Sequence, residues 1–355
     1  MKKIEDKEQQ LSSEIDFESL PPSDIIAYNE LRSCADLYRM YKNNILDIQP
    51  EFQREIVWGD SEQTRFIDSL MKQLPIPSMC FSLDYKTQKW QVIDGLQRMH
   101  TLIRFLDETE DWMLSKLNDI AKDISGKSVS EIKKNHSDLY RRVENITLPI
   151  TILRCDYERK AHSEYLFVIF HRLNTGGMKL NNQEIRNAIF SGSFNDFLKE
   201  CNENDTWRML LGKEKNKKDR FRSIELILRF FAFYDQYKQY KGRLTSFLND
   251  YMYEKRFDSN NKNRSDLFQT VIELIYNKIA NRGQLKVSNV VLEAAMFGVA
   301  KNISRIKEMD KRIIKQCYFK LIKSRPFQEE NILEGIFKRE KVITRLKTAR
   351  RIFSR

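Results

Sequence analysis

Asp94, Gln97 and Arg98 surround a glycine in the run Trp90-Gln91-Val92-Ile93-Asp94-Gly95-Leu96-Gln97-Arg98, where an apolar strand passes directly into a helix. Such a junction aims the unpaired amides of a first helical turn at one spot, backed by the partial positive charge of the helix start. Gly95 lets a ligand come close to the backbone, and Arg98 can offer a two-pronged guanidinium to a phosphate. Gln97 can read a base or a sugar, or orient water. Asp94 has two open roles, as a Mg2+ ligand or as the partner of Arg98. An architectural reading stands beside these, with Asp94 capping the helix and Arg98 paired to it.

Two further stretches carry polar groups in unusual company. Gln49-Pro50-Glu51-Phe52-Gln53-Arg54-Glu55-Ile56-Val57-Trp58 sets two aromatics around Gln53 and Arg54. They can work at the mouth of a strand, or Phe52 and Trp58 can anchor a core while Arg54 pairs with Glu51 or Glu55. The run from Phe167 to Arg172-Leu173-Asn174-Thr175-Gly176-Gly177 ends a helix at a glycine pair. Consecutive amides around Thr175–Gly177 suit an anion nest, and Asn181-x-x-Glu184 is a capping box for the helix that holds Arg186. A plain helix connection needs the glycines and the cap, but not Arg172, Asn174 and Arg186. A fourth run, Ala121 to Gly126-Lys127-Ser128, fits a relaxed phosphate-loop pattern. It lacks the buried strand before it and the apolar helix after it, so it reads as coincidence.

The elements that position these residues follow from periodicity. Met79–Leu83 and Lys89–Asp94 read as strands about a polar turn, and Leu96–Leu106 returns to helical spacing with Met99, Leu102, Ile103 and Leu106 on one face. Ile45–Ile48 and Leu148–Cys155 are further strands. Asn29–Lys42 and the stretch led by Ser61 read as helices, and residues 1–25 as a loose polar arm. Beyond Cys155 only helical patterns remain. The expected fold class is α+β: a small mixed sheet with helices, then an all-α C-terminal part. The expected divisions are an arm at 1–28, a mixed domain at 29–190 and a helical domain at 191–355.

The 355 residues hold 62 Lys+Arg against 50 Asp+Glu, a net charge of +12. Residues 301–355 alone have 17 Lys+Arg and 6 Asp+Glu, so +11 of that charge sits at the C-terminal end. Such asymmetry suggests an anionic partner, with nucleic acid first, or else a solvated basic surface. No apolar run reaches membrane-spanning length, and no secretory leader is visible, so a cytoplasmic protein is expected. Five scattered cysteines without C-x-x-C read as reduced thiols, and four histidines without ligand spacing argue against structural zinc.

Together the motifs resemble the GmrSD-type family, a group also catalogued as DUF 262, whose members join a ParB/sulfiredoxin-like N-terminal domain to a helical region. The likeness rests on Phe52-Gln53-Arg54 with Trp58, on Pro75-Ile76-Pro77, and on Asp94-Gly95-Leu96-Gln97-Arg98 through Leu102. It continues in Arg172-Leu173-Asn174-Thr175-Gly176-Gly177 with Glu184-Ile185-Arg186, and more faintly in Arg220, Glu225 and Arg229. Leu96 departs from the family's usual glutamine. The resemblance implies nucleotide binding, often with NTP hydrolysis, in modification-dependent restriction and anti-phage defence. It implies catalytic roles for Asp94, Gln97 and Arg98, and Mg2+ at Asp94 with a nucleoside triphosphate. It implies ligand contacts from Gln53, Arg54, Gly95, Arg98, Arg172, Asn174, Thr175 and Gly176.

Expected partners are the nucleotide, DNA along the basic C-terminal region, and a nuclease subunit in trans, since the family's His-based nuclease pattern is not seen here. Two competing readings remain. One is a non-enzymatic DNA-binding module whose ParB-like pocket reads phosphates or modified bases. The other is a metal-dependent nuclease using Asp94 and Glu51.

Overall fold

The computed structural model describes residues 2–12, 21–48, 58–173, 180–212, 221–258 and 261–354. The chain divides into two compact units, residues 19–180 and residues 1–18 with 181–355. Its first helix, α1 (Lys2–Ser12), belongs to the second of these, although the next described element belongs to the first.

The described residues of the 19–180 unit form five strands: β1 (Ile26–Ser33), β2 (Leu46–Asp47), β3 (Met79–Asp84), β4 (Lys89–Asp94) and β5 (Thr147–Cys155). Their order across the sheet is β1-β5-β3-β4-β2, with β1–β5 and β3–β4 antiparallel, and β3–β5 and β2–β4 parallel. Around it stand α2 (Cys34–Lys42), α3 (Asp60–Met71), α4 (Leu96–Leu106), α5 (Val129–Asn135), α6 (Ser137–Asn145) and α7 (Lys160–Leu173). Met99, Leu102 and Phe105 of α4 are fully buried in one cluster with Phe81, Ile150 and Ile152 of the sheet. The α4 stripe at i, i+3 and i+6 thus clamps the helix over the strands and fixes where its N-terminus opens.

The expected mixed sheet is therefore present, with two local corrections. Residues 26–33 form an edge strand, not the start of a helix, because all eight pair with 147–154 of β5. Ladder pairing overrides a helical pattern that begins only at Cys34. Residues 2–12, read as part of a loose arm, form α1 instead, with Ile4 buried among Val290, Ile332 and Ile336. The helix led by Ser61 begins one residue earlier, behind the N-cap Gly59. The phosphate-loop coincidence at 121–128 leads only into the seven-residue α5, capped by Ser128.

The second unit is helical throughout its described residues. After α1 come α8 (Asn182–Ile189), α9 (Ser193–Asn202), α10 (Asp205–Leu211), α11 (Arg222–Gln236) and α12 (Leu244–Lys255). Then follow α13 (Asn261–Leu274), α14 (Asn289–Lys301), α15 (Ile303–Glu308), α16 (Lys311–Lys323), α17 (Glu329–Leu333) and α18 (Arg339–Phe353). Its core is largely aromatic, with Phe194, Phe197, Phe230, Phe231 and Phe268 in ring contact. Residues Val290–Ala300 of α14 are buried on every side. There Gly298 admits α18, since a Cβ would stand 2.6 Å from Phe353 Cδ2 and 3.0 Å from the Ala349 carbonyl. Among the described residues no helix is long and apolar enough to cross a membrane. All five cysteines are free thiols, four of them buried.

Candidate functional site: the strand-to-helix turn at Gly95

β4 ends at Asp94, and α4 begins at Leu96 with Gly95 between them at φ 100°. That left-handed backbone belongs to glycine, and the space does too: a Cβ would lie 2.6 Å from Met79 Cγ. The N-cap, Gly95, has no side chain with which to cap the helix, and the first intrahelical bond runs from the Met99 amide to the Gly95 carbonyl at 2.9 Å. The turn therefore presents the amides of residues 96–98 without a side-chain acceptor at the N-cap, an arrangement suited to an anion.

Asp94 and Arg98 meet one turn apart, Nη2 to Oδ2 at 3.1 Å. Arg98 also donates to the Pro77 carbonyl and, at 3.5 Å, to that of Ser78. Its side chain is only 14% exposed. Burial lowers its pKa from the ordinary arginine value, and the Asp94 carboxylate opposes that shift. Asp94 is thus a partner to Arg98 and not a helix cap, and the carbonyls of Pro77 and Ser78 hold the guanidinium. Beneath them Cys80 sits opposite Asp94 in the β3–β4 ladder, its thiol pushed up to about 12 by burial and by that carboxylate.

Gln97 faces the other way. Its Oε1 accepts the Trp58 amide at 3.3 Å, and Gln63 Nε2 donates to the Trp58 carbonyl at 2.9 Å. This pair of bonds ties the start of α3 to the first turn of α4. Beside it opens a cavity of about 530 Å³, lined by Tyr41, Trp58, Asp60, His100, Arg104 and Glu110 among others. Arg104 bonds Asp60 at 2.6 Å and Gln63 at 3.1 Å, and its guanidinium lies 4.5 Å over the Trp112 ring. His100 has no bond to its buried Nδ1. Burial, helped by Arg104 and opposed by Glu110, holds its pKa below the ordinary histidine value. Sequence reading passed over His100 and Arg104. Their signal was the polar stripe Gln97, His100, Arg104 at i, i+3 and i+7, on the side of α4 away from Met99 and Leu102.

The structure brings together Asp94, Gly95, Gln97 and Arg98 of the expected set. Gln53, Arg54, Asn174, Thr175 and Gly176 lie outside the described residues, as do Glu51 and Arg220. Arg172 is exposed in the last turn of α7, and no described hydrogen bond or ion pair joins it to Asp94, Gln97 or Arg98. The Asn181–Glu184 capping box is present as expected. Arg186 is 1% exposed and donates to Asn249 at 2.8 Å, Gln183 at 3.2 Å and Glu225 at 3.0 Å.

A resident metal centre needs several ligands converging, and the described residues contain no group of three His, Cys, Asp or Glu placed to hold one. A single carboxylate, Asp94, 37% exposed, suits a Mg2+ that arrives on a triphosphate and keeps most of its ligands from phosphate and water.

No curated protein and no solved structure matches the chain. The family model for the GmrSD restriction endonuclease N-terminal domain matches residues 34–191, which take in the whole turn, the cavity beside it and the α7–α8 connection. That stretch of the chain belongs to the GmrSD restriction endonuclease N-terminal domain family.

Proposed function

We propose that this protein is a component of a restriction or anti-phage defence system, and that it binds a nucleoside triphosphate at the Gly95 turn. The observation that carries the reading is the start of α4 at a left-handed glycine, where Arg98 stands in the first turn beside Asp94. Phosphates would rest on the amides of residues 96–98. Asp94 would hold the Mg2+ that arrives with the triphosphate and offsets its charge, and Arg98 would exchange its Asp94 contact for a phosphate. Gln97 stands between this anion site and the Trp58–His100 cavity, whose size falls within the ~300–1,000 Å³ of small-molecule pockets. A nucleoside lying along that face of α4 would meet an aromatic wall at Trp58 and acceptors at Asp60 and Glu110. Hydrolysis, where it occurs, would draw on electrostatic stabilisation by Arg98 and water placed by Gln97. The cut in DNA would fall to a nuclease partner.

The test is a panel of ATP, GTP, CTP and UTP with Mg2+, read by calorimetry, with phosphate release followed in the same samples. Binding that weakens at least tenfold in a folded Gln97→Ala or Arg98→Ala variant supports the reading, and turnover makes the protein an enzyme. A chain that binds DNA but none of the four nucleotides would overturn it, leaving a non-enzymatic DNA-binding module.

A further inference from the structure

α16 holds Lys311, Arg312, Lys315, Lys320 and Lys323 among 13 residues, and no carboxylate. One side is committed to the core, with Ile314, Tyr318 and Leu321 buried where the helix packs on α18 and on the Ile275–Ile279 turn. The opposite side runs through Arg312, Gln316, Phe319 and Lys323 at i, i+4, i+7 and i+11, flanked by Lys315 and Lys320. All six are exposed. Among the described residues no ion pair joins a carboxylate to Arg312, Lys315, Lys320 or Lys323. Phe319, 46% exposed, stands in the middle of these charges, with its ring 6.1 Å from that of the buried Tyr318.

We infer that this face of α16 is a binding ridge for single-stranded nucleic acid, with the cations on phosphates and Phe319 stacked on a base. Charge alone would suit any polyanion. The exposed ring at its centre favours a strand with open base faces, because a duplex hides them and stacking on aromatics is sequence-tolerant. A membrane surface is a poorer fit, since most of the helix's apolar residues are already used inside the protein. From Arg312 to Lys323 the ridge spans roughly 16 Å, at about 1.5 Å per residue, enough for a few nucleotides. α18 is the contrasting case. Its exposed Lys347, Arg350 and Arg351 have no exposed aromatic beside them, and Phe353 is fully buried. The choice of nucleic acid rests on the restriction reading, whereas the position of the ridge rests on α16 itself.

The experiment measures binding of the full chain to a fluorescent 30-nucleotide single strand and to its duplex, across a salt series. It compares wild type with two variants that each lose three charges, Arg312→Gln/Lys320→Gln/Lys323→Gln on α16 and Lys347→Gln/Arg350→Gln/Arg351→Gln on α18. The expected result is a single strand bound more tightly than duplex. The salt slope should flatten by about 0.7 for each phosphate left without its cation in the α16 variant, and by less in the α18 variant. Phe319→Ala should weaken single-strand binding roughly tenfold and leave duplex binding within about twofold. Equal effects of the two triple variants, or duplex bound as well as single strand with Phe319→Ala neutral, would overturn the inference while leaving the restriction reading in place. So would α16-dependent binding to phosphatidylserine vesicles without binding to DNA. Nucleotide binding measured on the same samples reports separately on the Gly95 turn.

Discussion

Gly95 meets two separate obstacles to any side chain, a backbone at φ 100° and a Met79 side chain 2.6 Å from where a Cβ would stand. Gly95→Ala should therefore destabilise the protein by about 1–3 kcal/mol in a denaturant titration, and nucleotide binding should be lost even at temperatures where the variant is folded. Arg98 offered two readings in the sequence, phosphate ligand or Asp94 partner, and the structure gives it the second while leaving the first open to exchange. Sequence spacing could place Arg98 one turn from Asp94, but not reveal that the Pro77 and Ser78 carbonyls complete its bonding.

His162 belongs to the residues that sequence left unassigned. It is fully buried, its Nδ1 accepts the Asp156 amide at 2.9 Å, and its Nε2 lies 3.1 Å from Asp24 Oδ1. Burial, with Arg159 adding to it and Asp156 opposing, lowers its pKa from the ordinary value. An imidazole neutral in the folded state and protonated in the unfolded chain stabilises the fold above about pH 6.5, and that contribution is lost as pH falls through its folded-state value. The thermal midpoint should accordingly drop between pH 7.5 and pH 5, and the drop should shrink in His162→Gln. A pH-independent midpoint over that range would contradict the neutral assignment.

Among the elements, α1 shows best why part of the fold was not legible. Its sequence, KKIEDKEQQLS, has few apolar residues, and an isolated helix of 11 residues is marginal in water. Tertiary contacts hold it: Ile4 in a small apolar cluster, Lys7 on the Leu333 carbonyl, and Glu8 on the buried Arg229. Arg229 also bonds Glu293 at 2.6 Å, and burial, which alone would lower its pKa, is outweighed by the carboxylates of Glu293, Glu8 and Glu225. Neither the pairing of position 8 with 229 nor the burial of both can be read from spacing along the chain. Arg345 is buried beside the same carboxylates, so Glu8→Ala leaves two buried cations against Glu293 and should cost roughly 3–5 kcal/mol. Glu8→Ala/Arg229→Met should recover part of that loss in the same denaturant series by removing one cation. β1 has the same cause on a smaller scale, because its residues become a strand only through β5. The strands β2 to β5 were legible as short apolar runs, although Ser82, Asp84 and Gln91 are buried with them, and α4 was legible as a helical apolar stripe.

At the scale of the molecule, the strand-bearing N-terminal part, the helical remainder and the basic C-terminal end were visible in composition and periodicity, and the small mixed sheet in the family resemblance. The way α1 groups with residues 181–355 was not, because it depends on pairings such as Glu8 with Arg229, far apart along the chain. It has a direct consequence for fragments. Residues 19–180 carry their own core and should melt cooperatively alone. Residues 181–355 should melt at a clearly lower temperature than the same fragment with residues 1–18 added as a separate peptide. Equal melting with and without the peptide would mean that α1 contributes little to that unit.

The functional reading turns on a triphosphate seated on the amides of residues 96–98. Amide hydrogen exchange of the full chain, with and without saturating Mg2+ and the tightest-binding nucleotide, tests it residue by residue. Protection is predicted at 95–99, extending to the Trp58–Gln63 segment and to His100–Arg104 along the cavity. Nucleotide binding that leaves residues 95–99 unchanged, with protection confined to 181–355, would contradict it.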